Sequence, residues 1–220
     1  MKKKIIVLAV VVCLAVMSVV GATLAYLTAT DSAKNTFTFG NVDIEILEST
    51  LHRHNNSATD DQIIADAENY QDYLEEAGKL MVPGRWVKKA PYIHNIGSND
   101  AYVRLTAKVP KAVDNVTEIM LYTTGEEDGA FVWTSTSFVE DGKEYVCYTF
   151  TFTKPLEAGD VTFYAPFWQF RIRPDVDNED LVGLQGLNVA HSIDVYADAI
   201  QAEGFANADE AFAAFDAQEK

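Results

Sequence analysis

From Val103 to Val109 apolar residues occupy every second position, with Arg104, Thr106 and Lys108 between them. A period of two belongs to a strand with one face in a core and the other in solvent. The signature recurs along the chain. Phe37 and Phe39 alternate with Thr36 and Thr38, and Val42, Ile44 and Ile46 alternate with Asp43 and Glu45. The phase slips by one residue at Gly40, as a β-bulge or a corner between strands requires. Trp86 to His94 reads as extended, and Ile96 to Asp100 carries turn chemistry. Phe131 to Glu140 and Lys143 to Thr153 flank Asp141-Gly142, a residue pair suited to a two-residue type I′ hairpin. Val161 to Ala165, Trp168 to Arg173 and Leu187 to Ala199 bring the set to roughly eight to ten strands. So many short strands with turns between them predict a mainly β chain, folded as a sandwich or barrel.

Two segments break the pattern. Thr59 and Gln62 form a capping box, and Ile63, Ala67, Tyr70 and Leu74 follow at helical spacing up to Gly78. One helical insertion over about 58–78 is expected, of roughly four turns, with its carboxylates on a solvated face. Asn207 and Glu210 open a short C-terminal helix with Ala211, Phe212 and Phe215 on one side.

The N-terminus follows a different logic. Lys2, Lys3 and Lys4 precede an uncharged apolar run from Ile5 to Val20, and Gly21-Ala22-Thr23-Leu24-Ala25 supplies small residues. This is the layout of a secretory signal peptide over 1–25, with Thr23 and Ala25 at the recognition places before a cut at Tyr26. The competing reading is a retained transmembrane anchor, since the run approaches the length of a bilayer span. Either way the remainder, residues 26–220, is expected to be a single domain outside the cytoplasm. Tyr26 to Asn35 is small and polar and reads as a flexible lead.

The 220 residues carry 17 Lys+Arg against 33 Asp+Glu, a net charge of −16. Removing Met1–Ala25 takes three lysines and no acid, leaving −19. Such a surface disfavours nucleic acid and anionic membranes as partners. Cys13 leaves with the signal, so Cys147 has no intramolecular disulfide partner in the exported chain. Stability must come from a core.

No residue pattern points clearly to catalysis. His52 and His54 are two apart and would share a strand face, but lack further ligands at readable spacing. His94 precedes a turn and reads as a loop residue. His191 falls in phase with Leu187, Val189, Ile193 and Val195, which suits a hydrogen-bonded core histidine. Asp175 to Asp180 invites a calcium reading, yet an EF-hand loop starting there would need Gly at 180 and Glu at 186, where Asp180 and Gly186 stand. An irregular calcium site is the remaining alternative. Cys147 lies in a strand without a nearby His in sequence and reads as a packing residue. No metal, no cofactor and no catalytic residue is assigned.

Several segments resemble the TasA/camelysin family of exported biofilm-matrix proteins. Gly21 to Tyr26 resembles the end of that family's signal peptide, which an ER-type signal peptidase removes. Asn35-Thr36-Phe37-Thr38-Phe39-Gly40-Asn41-Val42-Asp43-Ile44 is similar to its first mature strands. Pro83 to Val87 and Asn95 to Arg104 are similar to its central hairpin, and Ala197 to Phe205 to its C-terminal segment. The resemblance implies a jelly-roll β-sandwich that assembles into extracellular fibres, the N-terminal segment of one subunit completing the sheet of the next. On this reading Ala25 and Tyr26 flank the cut, and Tyr26, Leu27, Ala29, Phe37 and Phe39 belong to the donated strand. The expected partners are further copies of the chain, head to tail, the signal peptidase during export, and other matrix proteins. The expected location is the extracellular matrix or the cell surface. Two alternatives stand beside this one: a monomeric secreted β-domain that binds a surface ligand, and a camelysin-like metallopeptidase, for which the histidines offer no recognisable zinc site. The insertion over 58–78 departs from the smallest family pattern.

Overall fold

The computed structural model describes residues 28–32, 42–53, 58–78, 82–122, 128–177 and 193–218. In chain order the elements are β1 (Thr28–Ser32), β2 (Ile44–Ser49), α1 (Asp60–Ala67), α2 (Tyr70–Gly78), β3 (Trp86–Lys88), β4 (Ala90–Asn95), β5 (Ala101–Pro110), α3 (Lys111–Asp114), β6 (Thr117–Leu121), β7 (Phe131–Glu140), β8 (Lys143–Phe152), β9 (Phe167–Ile172), β10 (Asp194–Gln201) and α4 (Ala208–Gln218). The mainly β expectation holds. One antiparallel sheet has the order β1-β10-β5-β8-β7, and two smaller sheets have the orders β2-β4 and β3-β9-β6. β3 and β4 run on from one another through Lys89, whose N–H donates to the Trp168 carbonyl at 3.0 Å. That bond stitches the two smaller sheets into one layer.

The two layers share a core, as in a sandwich. Val103, Leu105 and Ala107 of β5, Phe150 and Phe152 of β8, and Ala197 and Ala199 of β10 meet Ile44 of β2, Ile93 of β4 and Phe167 of β9. Phe150 sits at the junction, its ring edge-on to Phe131 at 5.8 Å and tilted against Phe167 at 6.0 Å. The alternation read along Val103 to Val109 is therefore the inward face of β5, while Arg104, Thr106 and Lys108 point outward.

The hairpin at Asp141-Gly142 also forms as expected. Asp141 has φ 50° and Gly142 φ 75°, the left-handed pair that a type I′ turn demands, and Glu140 stands opposite Lys143. The other turn, after β4, is held by a side chain. Asn95 is fully buried, donates to the carbonyls of Asn99 and Leu156, and accepts from the Gly97 N–H.

Other expectations need correction. The insertion is two helices, not one of four turns. Its capping box is present, with Thr59 Oγ1 accepting from Gln62 N–H and Gln62 Oε1 accepting from Thr59 N–H. The helix stops after Ala67, where Asn69 turns its side-chain amide back onto the Ala65 carbonyl at 3.1 Å, a local bond that competes with helical continuation. The break lets each half dock separately. Ile63 of α1 buries against Leu47, Ala90 and Tyr92 on the outer face of β2 and β4. In α2 the Tyr70 hydroxyl donates to the Lys88 carbonyl, and the Tyr73 hydroxyl accepts from the Lys88 N–H. Leu47 thus interrupts the polar side of β2 because a helix covers it.

Val161 to Ala165 is not a strand; Val161 makes an isolated bridge to His94. His94 is not in a loop but in β4, where its Nδ1 lies 2.7 Å from Glu45 Oε1 on β2. The phase change at Gly40, the strand of Phe37 and Phe39, and Leu187 to His191 lie outside the described residues.

Asp66 of α1 ties the insertion to the end of β2. It accepts from Ser49 Oγ at 2.7 Å, Thr50 N–H at 2.6 Å and Thr50 Oγ1 at 3.0 Å. Burial alone would raise its pKa, but these hydrogen bonds outweigh burial and hold it below the ordinary carboxylate value. A lowered folded-state pKa contributes stability above the ordinary value and loses it as pH falls through the lowered one. Asp66→Asn should therefore destabilise the protein at about pH 7 and much less at about pH 2, read as urea midpoints at the two pH values.

Candidate assembly edge

Of the residues that the sequence marks for assembly, Ala29 is among those described, and it lies in β1 at one edge of the five-stranded sheet. β10 lies between β5 and β1. Val195, Ala197 and Ala199 face the shared core, and Ile200, fully buried on the opposite face, packs beneath α4 with Tyr102, Phe212 and Phe215. The strand is therefore covered on both faces, and its remaining open side is the backbone edge. β1 occupies that edge in antiparallel register, Thr28 opposite Ile200, Thr30 opposite Asp198 and Ser32 opposite Tyr196.

Over Thr28–Ser32 this corrects the reading of Tyr26 to Asn35 as a flexible lead. Thr-Ala-Thr-Asp-Ser has no apolar alternation, yet backbone groups alone suffice to pair with an open edge. Ala29, assigned to the donated strand, stands opposite Ala199. Ala25, Tyr26, Leu27, Phe37 and Phe39 lie outside the described residues.

A clamp that sequence reasoning missed fixes the back of β10. Arg104 of β5 donates from Nε and Nη2 to Asp198 Oδ2 at 3.0 and 2.8 Å, and from Nη1 and Nη2 to Asp216 of α4 at 3.1 and 2.9 Å. Its guanidinium also lies over the rings of Phe212 and Phe215. Burial opposes its charge, but the hydrogen bonds to Asp216 and Asp198 prevail and raise its pKa. Arg104 and its partners come from three separate segments, β5, β10 and α4, so the sole sequence signal is a cation at a polar position of an alternating strand. α4 itself begins as expected, with Asn207 Oδ1 accepting from Glu210 N–H.

Among the described residues, those considered for metal or catalytic roles do not come together. The His52 ring stacks on Trp168 at 5.0 Å and meets Tyr122 edge-on at 4.4 Å; His54 and His191 lie outside the described residues. His94 is engaged with Glu45. Asp175 pairs with Arg173, and residues 178–180 of the acidic run are outside the described set. Among the described residues, no group of three or more His, Cys, Asp or Glu side chains is placed to hold a metal ion. Cys147 is half-buried in β8, and burial raises its pKa, away from a reactive thiolate.

No protein-family model, no curated protein and no solved structure matches this chain. Among the described residues, no helix is long and apolar enough to cross a membrane.

Proposed function

We propose that this chain is an exported structural protein, the subunit of an extracellular fibre that assembles by exchange of its N-terminal strand. The observation that carries the reading is the placement of β1. The segment next to the expected cleavage point is an edge strand, paired on one side to β10. Moving such a strand from its own β10 to a neighbour's replaces each backbone bond with an identical one, so exchange costs little beyond association itself. The contact is heterologous, and where its repeat does not close on itself it gives an open filament. The sandwich is read as a jelly roll, signal removal at Ala25 as the step that frees the strand, and the extracellular matrix or cell surface as the place of assembly. The role is structural rather than enzymatic.

The pairing of β1 within its own chain equally favours a second reading, a monomeric secreted β-domain that never exchanges the strand. Negative-stain microscopy of the chain beginning at Tyr26 separates them. Filaments support exchange, whereas dispersed particles at every concentration support the monomer. Zinc-dependent proteolysis at stoichiometric metal would instead favour the camelysin-like peptidase.

Charge sets the conditions. Subunits of net charge −19 repel one another. Elongation should accelerate with added salt and again as pH falls toward the carboxylate range, followed by light scattering.

A further inference from the structure

The five-stranded sheet has a second edge, β7, and it differs from the other strand edges of the fold. Proteins ordinarily blunt an edge with charge, proline, a bulge or a covering element. β6 has a register shift between Met120 and Leu121 and carries Glu118. β3 has both backbone groups of Lys88 occupied by tyrosines of α2. β2 carries Glu45 and Glu48, and β1 carries Asp31. β7 runs ten residues in unbroken register with β8 and holds no charge or proline from Phe131 to Val139. Two of the large hydrophobic side chains left in solvent lie on it, Val132 at 51% and Val139 at 65% exposure. Among the described residues no strand pairs with its outer side.

The strand is also complementary to itself. Around Ser135 the sequence reads Phe-Val-Trp-Thr-Ser-Thr-Ser-Phe-Val. In an antiparallel pair centred there, Thr134 meets Thr136, Val132 meets Phe138 and Phe131 meets Val139, each pair on one face. At these three pairs apolar residues meet apolar ones and threonine meets threonine, as stable cross-strand pairs require, while Trp133 stands opposite Ser137. A two-fold axis perpendicular to the sheet keeps inner faces with inner and outer with outer. A shift by one residue would mix them. In a chain this acidic, a long uncharged edge is where a second copy can approach with least repulsion.

We propose that β7 is a side-by-side contact between two copies of this chain, antiparallel and centred on Ser135, which joins two five-stranded sheets into one. The contact is isologous and uses the edge opposite β1, so it stands whether or not N-terminal strands are exchanged. In a filament it would tie neighbouring strands of subunits laterally.

Cross-linking tests both the contact and its register. In the Cys147→Ala chain beginning at Tyr26, Ser135→Cys places two thiols directly across the axis, and mild oxidation should give a covalent dimer. Ser137→Cys in the same background faces the partner's Trp133, beyond disulfide reach of its own counterpart, and should give little. Sedimentation of dilute protein supplies the second measurement. Thr134→Glu with Thr136→Glu sets carboxylates against each other at both symmetric pairs and should weaken the dimer roughly tenfold. Thr134→Lys with Thr136→Glu restores opposite charges and should recover it. These residues are exposed, and circular dichroism checks that each variant remains folded. Equal cross-linking at 135 and 137, no cross-linking at either, or no recovery in the Lys/Glu variant would each overturn the proposal. A head-to-tail strand added to β7 would leave the Ser135→Cys chain without a disulfide to its own counterpart, and so counts against the two-fold contact.

Discussion

Removal of Tyr26–Ala33 should leave a folded protein that no longer elongates. The deletion takes away β1 and opens the β10 edge from Tyr196 to Ile200. Five residues of antiparallel pairing at about 1 kcal/mol net per hydrogen bond put the loss on the order of 2–5 kcal/mol. The core of Val103, Leu105, Phe150 and Phe167 is left intact, so the far-ultraviolet circular dichroism should remain that of a β protein. Electron microscopy should show no filaments at concentrations where the intact chain forms them. A peptide spanning Tyr26 to Ala33, added in excess to the intact protein, should slow elongation by occupying free β10 edges. Filaments of normal length from the truncated chain would sink the exchange model. A truncated chain that fails to fold shifts the decision to the peptide, and undiminished growth in its presence has the same consequence.

The largest effect on stability should come from Phe150→Ala. Phe150 is fully buried where β8 faces β9, and with Ile119, Leu121 and Phe167 it borders a cavity of about 300 Å³. Truncation enlarges a space that the surrounding strands already leave unfilled, and hydrogen-bonded sheets on both sides resist collapse. The expected cost is about 3–5 kcal/mol, with a fall in melting temperature on the order of 10 °C for a domain of this size. Its neighbour Thr149 lies on the outer face of the same strand, its hydroxyl 3.5 Å from that of Thr106. Thr149→Ala should change stability by less than about 1 kcal/mol. Thermal unfolding of the two variants side by side checks the assignment of faces, and similar losses would mean that it is wrong.

Neutralising Asp216 in the Arg104 clamp is expected to matter less than truncating the core, because Asp216 keeps half its side chain in water. The role of the clamp is geometric: it locks α4 over β10, so that the strand has only its edge to offer.

The parts legible in the sequence are those governed by short-range rules. Asp141-Gly142 announces its hairpin because few residue pairs accept two successive positive φ values. Thr59 and Gln62 mark the start of α1 because their side chains reach only the backbone next to them. The alternation of β5 reports a core on one side of the sheet because side chains of a strand must point alternately. Tertiary structure decided the rest. β1 has no side-chain pattern, since what recruits it is the open backbone of β10, and every residue carries such groups. The insertion breaks at Asn69 because its halves dock on different parts of the smaller layer, which no helical periodicity reveals. His94 becomes a partner of Glu45 only once β2 and β4 are paired. Arg104 finds Asp198 and Asp216 across sequence separations of 94 and 112 residues. Local geometry is written in neighbouring residues, whereas the pairing of edges and the partners of a buried charge depend on which distant segments the core brings together.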